Sequence, residues 1–259
     1  MVPQVALVTG GASGMGQIYA LRMASRGTKV AILDTNDQGL EAAAAQSDNL
    51  YPYHCDVSDL DQVSQVVNKV IEELGPIDRL VHCAAIMPTA KLSDQDIAQI
   101  HKLMTINYGG TVNITKVILP AMKQRRSGQI VIFGSLGGLV LVPDCGAYCA
   151  SKAAVNAFTE VLIEENRGSG VHIMVVCPAL VNTPLLMQAV ETSNPRSIRD
   201  SIKKSRLADP DSIIDAVERG LEKKTEILLP NTEAKILSWL RRLTPGLLWK
   251  FIHHSNKEM

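Results

Sequence analysis

The sequence predicts an α/β fold, a single doubly wound domain in which a seven-stranded, mostly parallel sheet is flanked by helices on both faces. Three features lead to it. Short apolar runs rich in β-branched residues recur along the chain, most show little polar alternation, and the stretches between them are long and helically periodic. A strand covered on both faces buries every side chain and so reads as a continuous apolar run. Parallel neighbours need a crossover, and a right-handed helical crossover packs back onto the sheet.

The elements follow in order. "VALVTG" (5–10) reads as the first strand, with a helix over 14–26 after it. "KVAILD" (29–34) precedes a helix over 36–47, and "LYPYHCDV" (50–57) precedes one over 58–74. "DRLVHCAA" (78–85) is followed by the longest helical stretch, 93–124. "GQIVIFGS" (128–135) leads into 146–169, after which "VHIMVVCP" (171–178) and "TEILLP" (225–230) complete the sheet. With 259 residues and 46% hydrophobic content, the chain can bury a sizeable core. No repeat, low-complexity tract or flexible linker divides it. The expected organisation is one domain over 1–230, an irregular excursion from it at 179–209, and a compositionally distinct tail over 231–259.

Charge excludes little but does argue against nucleic acid as a partner: 26 basic residues balance 26 acidic ones. Five cysteines, Cys55, Cys83, Cys145, Cys149 and Cys177, are scattered through apolar segments without metal-ligand spacing. They read as small buried hydrophobes in a reducing compartment. A redox-sensitive site is the second reading for Cys145 and Cys149, which flank Tyr148. The opening "MVPQVALVTGG" lacks a basic segment and a long apolar run, and no stretch of about 18 apolar residues occurs anywhere. A cytoplasmic location is the expectation.

The turn "TGGASGMG", Thr9 to Gly16, sits between the first strand and the first helix. Glycines there permit a tight turn and let backbone approach a pyrophosphate at the helix N-terminus, the Rossmann-type arrangement. A merely flexible turn is the alternative. Asp34 closes the second strand 18 residues beyond Gly16. A carboxylate at that place accepts hydrogen bonds from the adenosine ribose and repels a 2′-phosphate. No cation occupies Ser13, Thr35 or Asn36, so NAD is expected rather than NADP. For Asp34 and Asp56 a solvated loop acid or helix cap is the competing reading; Asp56, after the third strand, could instead receive the adenine amino group. In "DCGAYCASKAAV", Tyr148 and Lys152 lie one helical turn apart and share a face. Spacing alone favours an ordinary helix with a half-buried tyrosine beside a solvated lysine.

Together these pieces resemble the short-chain dehydrogenase/reductase family over roughly residues 4–230. Thr9, Gly10, Gly14 and Gly16 match its Thr-Gly-x3-Gly-x-Gly turn, and Asp56 with Val57 its adenine-side pair. Asn107, Ser135, Tyr148 and Lys152 fall in order on its catalytic tetrad, and Pro178 and Thr183 on its nicotinamide-side segment. The resemblance implies cofactor contacts at Gly10, Ser13, Gly14, Met15, Gly16, Asp34, Asp56, Val57, Ala84, Tyr148, Lys152, Pro178, Val181 and Thr183. Two departures stand out: Cys83-Ala84-Ala85 replaces Asn-Ala-Gly, and Pro178-Ala179 replaces Pro-Gly. The implied chemistry is hydride transfer between NAD(H) and a secondary alcohol or ketone. Tyr148 would be the acid/base. A free tyrosine has a pKa near ~10, and bringing it to neutrality takes roughly 4 kcal/mol of differential interaction. An ammonium one turn away, on Lys152, would supply it. Lys152 would also hold the nicotinamide ribose, Ser135 the substrate oxygen, and Asn107 a water and backbone relay.

Family members use the segment after Pro178 as a mobile substrate lid. Here Leu185, Leu186 and Met187 are expected to line an apolar wall, with Met87 and Leu136 on the segments opposite. Simple packing of a short helix is the alternative. A hydrophobic, lipid-like alcohol or ketone fits such walls. A carrier- or CoA-linked 3-oxoacyl reductase is the enzyme alternative, and an NAD(H)-binding redox sensor or scaffold the non-enzyme one. By resemblance the chain is a homodimer or homotetramer through its long helices. In the tail, Ile236, Leu240 and Leu243 form an apolar helical stripe beside Trp239, followed after Pro245-Gly246 by "LLWKF". Three readings stand: a subunit interface or flap over the pocket, peripheral membrane contact through 235–252, or core packing.

Overall fold

Alternate residues of each central strand enter two separate hydrophobic cores, which is the physical basis of the uninterrupted apolar runs. The structure, a computed structural model, describes residues 2–247 and 249–250. Its strands are β1 (Val5–Thr9), β2 (Lys29–Asp34), β3 (Leu50–His54), β4 (Arg79–His82), β5 (Gly128–Phe133), β6 (Val171–Val176) and β7 (Ile227–Leu228). They form one sheet in the order β3-β2-β1-β4-β5-β6-β7, and all neighbouring pairs are parallel. Ala6 and Val8, Val30 and Ile32, Val131 and Phe133 face one core. Val5 and Leu7, Ala31 and Leu33, Ile130 and Ile132 face the other.

Helices α1 (Gly14–Ala24) and α9 (Pro210–Glu222) cover the first face. Helices α3 (Leu60–Leu74), α5 (Gly110–Arg125) and α6 (Gly146–Glu165) cover the second. The α2 helix (Asp37–Ala44) lies between β2 and β3. Asn36, Asp59 and Asp209 start α2, α3 and α9 by accepting from first-turn N–H groups, as a helix N-terminus requires.

Three expectations needed revision. The continuous helix over 93–124 is α4 (Ile97–Leu103), a π-helical turn (Met104–Gly109), and α5. The excursion at 179–209 is not irregular throughout: it holds α7 (Pro184–Thr192) and α8 (Arg196–Lys203). Its two ends are joined by a parallel bridge between Val181 and Ala208, with Ala208 N–H donating to the Leu180 carbonyl at 2.8 Å and Asn182 N–H to that of Ala208 at 3.1 Å. The last strand keeps only two residues. Beyond it, α10 (Thr232–Leu243) packs Ala234 and Leu237 against Leu136, Val140 and Ala179. Trp249 lies over Arg241, while Phe251 and Ile252 of the expected membrane segment fall outside the described residues.

The edge of the sheet away from the strand C-termini is fastened by a buried charge. Arg79, only 2% exposed, donates from Nη1 to Glu218 Oε1 at 2.7 Å and to the Tyr19 hydroxyl at 3.2 Å, and from Nε to Gln129 Oε1 at 2.8 Å. The Tyr19 hydroxyl also donates to Glu218. One guanidinium thus ties β4 and β5 to α1 and α9. Removing its carboxylate strands a buried cation, which costs roughly 3 kcal/mol. Glu218→Ala is therefore expected to lower the urea midpoint by that scale with an unchanged m-value. Glu164→Ala, at the exposed Glu164–Arg167 pair, is expected to leave the midpoint in place.

Candidate functional site

The strand order reverses between β1 and β4, and a cleft of about 810 Å³ opens there at the carboxyl ends of the strands. Its floor is the glycine turn. Gly10 and Gly14 adopt φ of +68° and +55°, which side-chain-bearing residues rarely hold. A Cβ on Gly16 would stand 2.2 Å from the Gly10 carbonyl oxygen, so only glycine lets α1 begin this close to β1. Ser13, at the start of α1, makes no side-chain capping bond. The first-turn N–H groups of α1 are left to an anion at the cleft, and the residues present fit the pyrophosphate of a dinucleotide.

Asp34, at the end of β2, is fixed by backbone alone. Its Oδ2 accepts from Ala12 N–H at 3.2 Å, and its Oδ1 from Thr35 and Asn36 N–H at 2.8 and 3.1 Å. Asp56 accepts from the Ser58 N–H and hydroxyl at 2.9 and 2.7 Å. At the end of β1 the Thr9 hydroxyl bonds His82 Nδ1 at 2.7 Å and accepts from Ala84 N–H at 3.2 Å. That bond joins β1 to the segment where Cys83-Ala84-Ala85 departs from the family pattern. Burial, reinforced by the charge of Lys152, pushes the His82 imidazole down to about 3, so it is neutral. Burial likewise pushes the Cys83 thiol up to about 12.

Tyr148 and Lys152 lie on the first turns of α6 and both are buried, at 7% and 4% exposure, which rules out the solvated-lysine reading. Lys152 Nζ donates to the Phe133 carbonyl at the end of β5 at 2.8 Å. The Ser135 hydroxyl sits beside the Tyr148 ring and accepts from Gly137 N–H at 3.0 Å. The expected lowering of the phenol by Lys152 is not found here. Burial holds Tyr148 above its ordinary value, opposed by its hydrogen bond with Ser135. Burial also depresses Lys152 to about 8, opposed by Cys83 and Cys177. Asn107, in the π-helical turn, does not line the cleft. Its Oδ1 accepts from Ile86 N–H at 2.8 Å, and its Nδ2 donates to the Ile86 carbonyl at 3.0 Å and Ser151 Oγ at 2.9 Å.

Gly10, Ser13, Gly14, Met15, Gly16, Asp34, Asp56, Val57, Ala84, Pro178, Val181 and Thr183 all line the cleft, with Met87, Ser135, Leu136, Tyr148, Lys152, Leu185 and Leu186. Met187 does not. Leu186 and Ala189 are the buried positions of α7, so its neighbour Met187 is turned outward, 44% exposed. The α7 helix is fastened over the cleft: Met87 N–H donates to Gln188 Oε1 at 2.8 Å, and Thr89 N–H to Thr192 Oγ1 at 2.9 Å. Sequence reasoning missed Asn156, whose amide donates to the Ser135 carbonyl at 3.0 Å and accepts from its N–H at 3.4 Å. Its place one turn beyond Lys152 was the available signal. Leu237 of α10 was also missed as a cleft residue. Among the described residues, no group of His, Cys, Asp and Glu is placed to hold a metal ion, and no helix is long and apolar enough to cross a membrane.

Residues 4–194 match the family described as short chain dehydrogenase. Estradiol 17-beta-dehydrogenase 11 of Mus musculus is 28% identical, over 97% of this chain and 83% of that protein. The 3-oxoacyl-[acyl-carrier-protein] reductase of Thermotoga maritima is 29% identical, over 83% of this chain and 88% of its own. A short chain dehydrogenase/reductase from Burkholderia phymatum, solved in complex with NAD, superimposes with a TM-score of 0.83 at 23% identity, covering 94% of each chain.

The Lys152 shift has a thermodynamic signature. Unfolded, this lysine titrates near 10.5; folded, near 8. Below pH 8 both states bind the proton and the folded state carries the full burden of a buried ammonium. Between 8 and 10.5 only the unfolded state binds it, so stability gains with rising pH. The stability difference between Lys152→Met and the unsubstituted protein is expected to be constant below pH 8 and to drift against the variant up to pH 10.5. The lost Phe133 bond adds only a constant offset. Thermal melts across that range check it.

Proposed function

The chain belongs to the short-chain dehydrogenase family of oxidoreductases, and from that premise we propose that it interconverts a hydrophobic secondary alcohol and its ketone using NAD(H). The observation that carries the reading is the placement of Tyr148 and Ser135 side by side in a cleft that has a glycine-turn cradle at one end and apolar walls at the other. The bound dinucleotide supplies or accepts the hydride. Ser135, held in register by Asn156, orients the substrate oxygen. Tyr148, kept protonated by burial, donates its proton to that oxygen as a ketone is reduced and takes it back in the reverse direction. Lys152 lies one turn further along α6, with its ammonium anchored on the Phe133 carbonyl. A positive charge there favours the phenolate each time the proton leaves. The α7–α8 excursion acts as a lid that excludes water while the proton moves.

Asp34 supports NAD over NADP. A 2′-phosphate would meet a carboxylate, held in place by three N–H groups and with acceptor capacity left for a ribose hydroxyl. Leu136, Val140, Leu180, Leu186, Ile198 and Leu237 support an apolar substrate. A second reading, reduction of 3-oxoacyl groups tethered to a carrier or coenzyme A, draws support from Lys102 and Arg206, two cations that also line the cleft. Turnover of matched free ketones and acyl thioesters of increasing chain length separates the two.

Two substitutions test the assignment. Tyr148→Phe is expected to lower turnover by about a hundredfold or more while NADH binding is retained; unchanged turnover would remove Tyr148 from the chemistry. Asp34→Ala frees the N–H groups of Ala12, Thr35 and Asn36 for a phosphate. It is expected to move the NADPH-to-NADH preference in kcat/KM by about tenfold or more toward NADPH, the scale of a charge-assisted hydrogen bond.

A further inference from the structure

The outer face of α10 has no role in the fold or the cleft. Ala234 and Leu237 face inward, Leu237 as part of the cleft wall. Ile236, Trp239 and Leu243 recur at i, i+3 and i+7 and so stand in one row on another side of the helix. Each is more than half exposed, Trp239 at 63%, and Leu247 continues the exposed apolar set past Pro245. Single exposed apolar residues are ordinary, but a contiguous row marks a contact surface. Lys235 and Arg242, both exposed, run along one flank of it. Across 232–250 four cations, Lys235, Arg241, Arg242 and Lys250, face one acid, Glu233, in a chain that is neutral overall.

We propose that α10 docks the protein on the surface of a bilayer containing anionic lipid. The row Ile236–Trp239–Leu243 enters the acyl boundary, and Lys235 and Arg242 extend their stems to the headgroup level. Charge decides between this occupant and a second copy of the chain. A two-fold subunit contact sets the same patch against itself, cation against cation. An anionic surface neutralises those cations instead. The helix also presents opposite faces to the bilayer and to the cleft, through Trp239 and Leu237. An apolar substrate dissolved in lipid would cross one helix to reach Tyr148.

Docking does not rest on the proposed reaction and is read without turnover. The full-length protein is floated with phosphatidylcholine vesicles, with and without phosphatidylglycerol, while its tryptophan emission is recorded; Trp239 and Trp249 are the chain's two tryptophans. Flotation with the anionic vesicles, a blue shift of the emission and weakening by salt are expected. The double variant Trp239→Ser, Leu243→Ser is expected to bind these vesicles at least about tenfold more weakly, the scale of two apolar side chains, with an unchanged melting temperature. Protein that stays unbound with both vesicle types overturns the proposal, as does a variant that floats like the unsubstituted chain. Loss of oligomer mass in the variant, without flotation of the parent, would assign the row to a subunit contact. Absence of any hydride transfer would sink the reaction proposed above and leave the docking result standing.

Discussion

The site depends on backbone groups at or just beyond the carboxyl edge of the sheet, where strand ladders end and peptide N–H and C=O groups lack strand partners. Polar side chains at the cleft are anchored on such groups. Lys152 donates to the Phe133 carbonyl, Asn156 pairs with both backbone groups of Ser135, and Asn107 does the same with Ile86. Asp34 reverses the polarity, accepting from three N–H groups around the glycine turn. A side chain held by peptide groups of the sheet inherits the stiffness of the sheet. Two of these anchors, Lys152 and Asn156, lie one turn apart on α6, so the helix is registered against β5 at both the lysine and the serine.

That stiffness comes with burial, and burial sets the electrostatics. Tyr148 and Lys152 are both driven toward their neutral forms, because desolvation exceeds what one nearby opposite dipole or charge returns. Burial also keeps His82 and Cys83 neutral, so Lys152, at about 8, is the one of these four groups that carries charge at neutral pH. The cleft thus runs from the acids Asp34 and Asp56 at one end to an apolar wall at the other.

Much of this was legible in the sequence, for reasons that differ by element. The strands were readable because both-face burial writes itself as continuous apolar runs. The glycine turn was readable because steric need restricts Gly10 and Gly16 to one residue type. Tyr148 and Lys152 do share one face of α6 at the cleft, but the tyrosine shift runs opposite to expectation, since desolvation depends on what packs around α6 rather than on spacing. The π-helical turn in 93–124 carries no proline or glycine signal ahead of Asn107; its side-chain bond to Ile86 is a long-range contact. Met187 was misassigned because a run of apolar residues does not state which of them faces inward. Leu237 reaches the cleft from a hundred residues beyond Ser135, a distance that no local pattern spans.

The bridge between Val181 and Ala208 bears on how such a protein can change. It closes the α7–α8 excursion at its neck, and α7 is held a second time by the Met87 and Thr89 bonds to Gln188 and Thr192. Closing a longer loop at the same neck costs little, because the entropy grows only with the logarithm of its length. The excursion is therefore a replaceable cassette. Its helices can be lengthened, shortened or exchanged without altering the register of β6, provided that Leu186, Ala189 and Ile198 are replaced by residues that fill their cluster with Tyr148. Diversification then becomes a matter of editing one parcel of chain, while the sheet and the glycine turn beneath it stay fixed.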